Sequence, residues 1–336
     1  MIRLILLFLT MFLSSVYGSP KQDKAVHMML DSSGLNVDYK VIDSGKTLVT
    51  AREDQEKTDS SIALSMVLYV KAPFKEVLKV IKQGEGRLSG YKNAKRIYIK
   101  DIDNPKPYFK EISCVRDEKE EVEKLFDYDG GTNFNFSKQE IKQLNRLKKL
   151  RMERVRLASQ FYQDILLKRF EEYLKKGVDG ISAYTHCDKD ATVEDGIKKS
   201  SFGMKVFRND FPDMYKYYMN YPKSKPEDIK ERFFIIKDKI DDRVAFILKH
   251  QMLKIRHNLL LIAERQFYIS NSLDAIQTQI LCTPYKNGTL VALSSQSYTD
   301  KVTGFGRGIA VKIGRHMMEK QIRPMFDDLE NRFNKN

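Results

Sequence analysis

Ile62-Ala63-Leu64-Ser65-Met66-Val67-Leu68-Tyr69-Val70 runs through Lys71-Ala72-Pro73 into a segment carrying Phe74, Val77, Leu78 and Ile81. The first nine residues are an apolar run rich in strand formers, a proline suits the first turn of a helix, and the last four apolar residues fall at helical spacing. The stretch reads as strand, turn and short helix. Before it, Val37 to Val41 and Thr47 to Thr50 are short β-like runs around a Ser44-Gly45 turn signal, which predicts a leading hairpin. After it, Gly84, Gly86 and Gly90 open a loop, and Arg96 to Ile102 alternates like a strand until Pro105 and Pro107 stop it.

Strand patterns resume late in the chain, at Arg232 to Lys237, Val244 to Lys249, Leu259 to Glu264, Gln266 to Ser270, Thr278 to Thr283 and Thr289 to Gln296. Asn287-Gly288 between the last two predicts a tight hairpin, because both residues tolerate positive φ. Beyond Gly304, Gly306 and Gly308, the spacing of Ile309, Ile313, Met317, Phe326 and Leu329 predicts a long amphipathic C-terminal helix, with Pro324 as a kink.

Between these two strand-rich parts the composition changes. Ser137-Lys138-Gln139-Glu140 fits a capping box, and apolar residues from Ile141 to Tyr173 predict a helix running to Lys176, kinked somewhere, with Gly177 as its stop. Residues 138–176 hold twelve Lys or Arg against five Asp or Glu, a net of +7. Residues 180–230 read as shorter helices separated by Gly196, Gly203 and Pro212, and Tyr221-Pro222-Lys223-Ser224-Lys225-Pro226 reads as a boundary.

The 336 residues carry a formal charge of +14. A surplus of that size favours anionic partners such as lipid head groups, envelope polymers or nucleic acid, although interspersed Lys and acids also describe an ordinary solvated surface. The N-terminus has the layout of an export signal: Arg3, an apolar run from Leu4 to Leu13, then Ser14-Ser15-Val16-Tyr17-Gly18. Cleavage is expected before Ser19, which removes one Arg and no acid and leaves a net of +13 on a soluble, exported protein, periplasmic or secreted. Cys114, Cys187 and Cys282 allow at most one disulfide, and neither they nor the five histidines fall at zinc-site spacing. No metal or cofactor is expected.

The order of elements resembles the helix-grip fold of START and related lipid-binding domains of the SRPBCC type. The matching places are Gly34-Leu35-Asn36-Val37, Val70 to Val77, Gly90-Tyr91-Lys92-Asn93-Ala94, and Asn287 to Val291 leading to the helix from Gly308. They cover about residues 30–113 and 231–333. Family members commonly carry a tryptophan near the second strand; this chain has none, and Tyr91 stands nearest that place. The Arg265-Gln266-Phe267-Tyr268 and Gly304-Phe305-Gly306 patterns are also similar to uncharacterised secreted bacterial proteins. The resemblance implies an α+β fold in which an antiparallel curled sheet grips a long C-terminal helix. The organisation expected is a signal peptide over 1–18, the first part of the helix-grip domain over 19–116, a basic helical insertion over 117–230, and the second part over 231–336.

Between sheet and helix such a fold holds an apolar cavity for a lipid or other hydrophobic small molecule. Candidate ligand-binding residues are Met66, Leu68, Phe267, Ile269, Ile280, Leu293, Ile313 and Met317. Candidate contacts to an anionic membrane are Lys148, Lys149, Arg151, Arg154 and Arg156 of the basic helix. Nucleic acid would use the same charge, but no binding motif accompanies it.

No constellation reads as catalytic. Side chains of His186-Cys187-Asp188 point apart on a strand and do not face one another on a helix, and Ser44-Gly45-Lys46-Thr47 lacks the first glycine of a phosphate loop. The expectation is an exported, non-enzymatic protein that binds or transfers a hydrophobic molecule near an anionic membrane. The alternatives are an exported cyclase or hydrolase using Glu264, Arg265 or His250 in the same cavity, and a basic interaction protein that binds a polymer or partner.

Overall fold

The computed structural model describes residues 20–334 apart from 33, 34, 36, 57–59, 85–91, 187, 188, 192, 193, 195, 196, 199–204, 241, 257 and 300–306. The export signal, Gly90-Tyr91, the Cys187-Asp188 pair and the Gly304 and Gly306 positions lie outside the described residues.

Helices α1 (Pro20–Ser32) and α2 (Tyr39–Asp43) precede strands β1 (Leu48–Ala51) and β2 (Ser61–Val70). Asp38 caps α2, accepting the amides of Lys40 and Val41. That cap turns 37–41 into a helix start instead of the first arm of the expected hairpin, so β1 pairs antiparallel with β2. Helix α3 (Phe74–Gly84) follows as the spacing predicts, and strand β3 (Lys95–Ile99) ends three residues before the expected Ile102.

A helical stretch comes next: α4 (Lys106–Lys110), α5 (Lys119–Phe126), α6 (Lys138–Leu147) and α7 (Arg154–Lys176). The capping box at the start of α6 is formed, Ser137 Oγ accepting the Glu140 amide and Glu140 Oε2 accepting the Ser137 amide. The expected single kinked helix is two helices with a break at 148–153, and Gly177 ends the second with φ of +62°. Residues 184–186 and 189–191 are not helical; β4 (Tyr184–His186) and β5 (Lys189–Ala191) pair antiparallel as a small two-stranded sheet. Helices α8 (Lys205–Asp210) and α9 (Pro212–Asn220) close the stretch.

Strands β6 (Lys230–Ile240), β7 (Arg243–Arg256), β8 (Leu259–Ile269), β9 (Ala275–Tyr285) and β10 (Gly288–Tyr298) precede the closing helix α10 (Arg307–Phe333). The sheet has eight strands in the order β1-β2-β10-β9-β8-β7-β6-β3, every pair antiparallel, so the fold is α+β with one long C-terminal helix packed on an antiparallel sheet. At the β9–β10 turn Tyr285 pairs with Gly288, so the loop residues are Lys286 and Asn287, and Lys286 takes the positive φ. Gly288 is needed for another reason: a Cβ there would lie 2.3 Å from the Val70 carbonyl oxygen on the neighbouring strand.

Alternation along the strands sorts the core in two. On one face Phe161, Phe170 and Tyr173 of α7 pack against Phe233, Phe246 and Phe267. On the other, Ile62, Leu64, Met66 and Leu68 of β2 lie beneath Val311, Met318, Phe326 and Leu329 of α10.

Candidate functional site

Away from β2, helix α10 and the sheet do not close on each other. They enclose a cavity of about 740 Å³, within the range of small-molecule sites. Its floor is the inward face of β6 to β10 and its roof is α10 from Ile313 to Leu329, with Val80 and Ile81 of α3 and Arg96 of β3 at its sides. Lys239 and Asp242, at the β6–β7 turn, stand with Lys92, His316 and Lys320 among the charged lining.

Cross-strand register gives the floor a banded composition. Leu253, Ile262, Ile280, Leu293 and Met66 form one apolar row across the sheet. Arg96, Ile236, Ile247 and Ile269 form another, apolar apart from the arginine. Between them run two polar rows, Gln251-Glu264-Thr278-Ser295 and Lys249-Gln266.

Within this belt Lys249 Nζ pairs with Glu264 Oε1 at 3.1 Å, and Gln251 Nε2 donates to the same oxygen at 2.7 Å. Thr278 and Ser295 share a hydroxyl hydrogen bond of 2.9 Å. Burial pushes the Glu264 carboxyl up, but Lys249, the Gln251 hydrogen bond and Arg96 outweigh it and hold the group below its usual value. Burial lowers Arg96, offset in part by Glu264 and Asp238. The side-chain oxygens of Gln251 and Gln266 are buried and accept no hydrogen bond.

Of the eight candidate ligand-binding residues, Ile280, Leu293, Ile313 and Met317 line this cavity. Met66 and Leu68 face the same way but are sealed beneath α10. Ile269 packs with Ile236, Ile247 and Ile276, just outside the lining. Phe267 is on the opposite face, its ring stacked on Tyr173 at 3.8 Å. Alternation from Glu264 and Gln266 already sends Phe267 there; a β-bulge follows, Lys249 pairing with Gln266 and Leu248 with Tyr268, which keeps Tyr268 on the helical face and returns Ile269 to the cavity side, so Phe267 and Ile269 face oppositely although two residues apart. The floor residues Lys249, Gln251, Gln266, Thr278 and Ser295 were not among the candidates. Their signal was present as polar residues at alternate positions of otherwise apolar strands.

Glu264 is in the cavity, but Arg265 and His250 are not. They belong to a buried network on the helical face, where Arg265 donates to Tyr173 Oη at 3.2 Å and Tyr173 Oη contacts His250 Nδ1 at 3.0 Å. His250 Nε2 meets Glu231 Oε1 at 3.0 Å, and a carboxylate can only accept, so the imidazole is the donor there and Tyr173 donates to Nδ1. Burial holds His250 below its ordinary 6.5 despite Glu231. For Glu231, burial raises the pKa, but His250 and Lys225 bring it to about 2. Cys114 and Cys282 are both free and buried.

The candidate basic residues divide. Lys148 donates to the Tyr128 carbonyl at 2.6 Å, and Arg154 pairs with Glu123 of α5. Lys149, Arg151 and Arg156 are exposed. The break between α6 and α7 also exposes Leu150 by 49% and Met152 by 40%, so basic and apolar residues alternate at this tip. Arg243, beside the β6–β7 turn at the cavity's edge, pairs with Glu121 of the same α5 at 2.5 Å. Helix α5 thus bridges the tip and that end of the cavity.

No known protein family, curated protein or solved structure matches this chain.

Proposed function

We propose that this protein binds a hydrophobic small molecule between sheet and C-terminal helix and exchanges it at an anionic membrane surface, as a carrier and not as an enzyme. The observation that carries the reading is the cavity of about 740 Å³ with apolar bands on its floor and a largely apolar helix as its roof. An antiparallel sheet holding a long closing helix is also the layout that the resemblance to helix-grip lipid-binding domains implies. Export through the leader at residues 1–18 belongs to the same reading. Native mass spectrometry of the protein from its own compartment, followed by organic extraction, tests it. A co-purifying lipid of defined mass is expected; a clean apo mass that persists after incubation with a lipid extract would end the carrier reading.

Exposed Lys149 and Arg151 interleaved with Leu150 and Met152, with exposed Arg156 in the first turn of α7, suit a lipid surface, since each Lys or Arg near an anionic bilayer is worth about 1 kcal/mol and apolar side chains add burial. On the roof, Ile313 lines the cavity yet is 56% exposed, and Ile309, one turn earlier, is 70% exposed. In this reading α5, which pairs with Arg154 beside the tip and with Arg243 beside the β6–β7 turn, links the surface that meets the bilayer to the cavity. Co-sedimentation with phosphatidylglycerol vesicles is expected, weakening with salt and lost in Leu150→Glu/Met152→Glu; equal binding to neutral vesicles would remove the electrostatic part.

A second reading, an enzyme acting in the same cavity, draws on the buried Lys249–Glu264 pair. A general base works best with a pKa near the operating pH, and Glu264 is held the other way. The pair is better suited to fixing a polar group than to moving protons. Release of a chemically altered ligand from purified protein would favour the enzyme.

A further inference from the structure

The polar belt lies within the cavity, with apolar residues on both sides along the strands. A site for plain hydrocarbon has no use for an ion pair and two amides in its floor, because each polar group there loses water when the cavity fills. Two features of the belt define the head group it would accept.

One feature is charge. Lys249 is matched by Glu264 at 3.1 Å, and Arg96 feels both Glu264 and Asp238. An entering carboxylate would meet the ionised Glu264, and an entering ammonium would meet Lys249 and Arg96. Either would have to break a balanced set in a low-dielectric space, where an uncompensated charge is costly.

The other feature is hydrogen-bonding polarity. Gln251 is only 2% exposed, and its Nε2 donates to the Glu264 carboxylate. Since a carboxylate can only accept, the amide cannot be flipped, and Gln251 Oε1 is fixed as an acceptor. That oxygen has no partner, nor has the side-chain oxygen of Gln266 one strand away. A buried acceptor left unmet is unfavourable, and a ligand that brings a donor relieves it, an effect of about tenfold in affinity per acceptor.

We propose that the cavity selects an uncharged amphiphile whose head donates hydrogen bonds, a hydroxyl or a primary amide on an apolar chain or ring, over both a fatty-acid anion and a bare hydrocarbon. The inference rests on the carrier reading above and narrows its ligand class. The head sits on Gln251, Gln266 and Glu264, with Thr278 and Ser295 completing the belt, and the apolar part occupies the bands to either side.

The test uses four probes with a comparable long apolar chain: oleyl alcohol, oleamide, oleate and octadecene. Each is offered to the purified protein from phosphatidylcholine vesicles at neutral pH, and occupancy is read by native mass spectrometry. The alcohol and the amide are expected to bind about tenfold or more tighter than oleate or octadecene. In Gln251→Leu the preference of alcohol over octadecene should shrink about tenfold while octadecene binding persists. Gln266→Leu, at a less buried position that does not hold Glu264, gives the same readout should Gln251→Leu not fold. Oleate binding tightest, or all four binding alike, would overturn the head-group inference and leave carriage standing. If none of the four bound, the carrier reading itself would fall, and this inference with it.

Discussion

The two faces of one sheet solve the same problem differently. On the helical face most buried charge is neutralised in place, Arg265, held by Tyr173 and Tyr218, being the exception. Arg169 forks onto Glu140 at 2.7 and 2.5 Å beneath the rings of Tyr268 and Tyr184, Lys237 meets Glu118 at 2.7 Å, and His250 lies between Tyr173 and Glu231. Aromatic rings from α7 and the strands fill the rest. On the cavity face the same strands place Lys249, Gln251, Glu264 and Gln266 beside an unfilled space, and two amide oxygens stay unmet. A sheet buried on both faces need not be a core on both. The closed face also keeps unpartnered atoms, Arg265 Nε and Tyr268 Oη, but aromatic rings pack beside them, whereas the unmet amide oxygens of Gln251 and Gln266 border the cavity.

The contrast can be broken hardest at Arg169. Arg169→Met leaves Glu140 buried without its partner and is expected to cost about 3–5 kcal/mol in urea unfolding. Overpacking should separate the faces next. Leu248→Phe, into the closed side, is expected to cost about 1–3 kcal/mol. Ile280→Phe, into the cavity, should cost less than about 1 kcal/mol while reducing ligand uptake, and a loss as large as at Leu248 would mean that the cavity is filled in solution.

Titration gives a gentler gradient. The folded state resists protonation of His250, so stability should fall as pH drops through 6.5, where the unfolded chain gains a proton that the buried imidazole refuses. Glu231 adds stability that is present above 4.5 and is lost as pH falls toward about 2. Thermal unfolding across this range should show the first fall in the native protein and not in His250→Gln. The smallest effect on stability is expected at the tip, where Lys149→Ala should leave unfolding unchanged while weakening binding to anionic vesicles by about 1 kcal/mol.

Local signals were legible where neighbours in sequence decide the outcome. The β2 run, the Ser137 capping box and the long closing helix all follow from adjacent residues, and all are formed. Three features escaped because they depend on residues far away. The bulge at Phe267 exists only relative to β7, and it puts Phe267 and Ile269, two residues apart, on opposite faces. The polar belt is assembled from four strands, each contributing one or two residues that look incidental in their own strand. The break at 148–153 interrupts a stripe that still reads as helical, and Lys148 turns back there to the Tyr128 carbonyl. Half of the candidate ligand residues line the cavity, Ile280 and Leu293 through strand alternation and Ile313 and Met317 through i, i+4 spacing on α10.

Helix α10 is anchored at both ends of its span over the cavity. Near its start, Arg315 holds Glu56 at 2.8 Å and Glu53 at 3.3 Å. Just beyond its end, Asn334 bonds the carbonyls of Tyr69 and Gly45 and receives the Lys71 amide. Mechanically this is a beam on two supports and not a flap on one hinge. Between the supports Pro324 has no amide hydrogen to give the carbonyl of Lys320, so the ladder is weakest where the beam spans the void. If the cavity carries the proposed ligand, cargoes of different girth should bow the helix at mid-span, and amide exchange that quickens around 320–324 while both ends stay protected would be the signature.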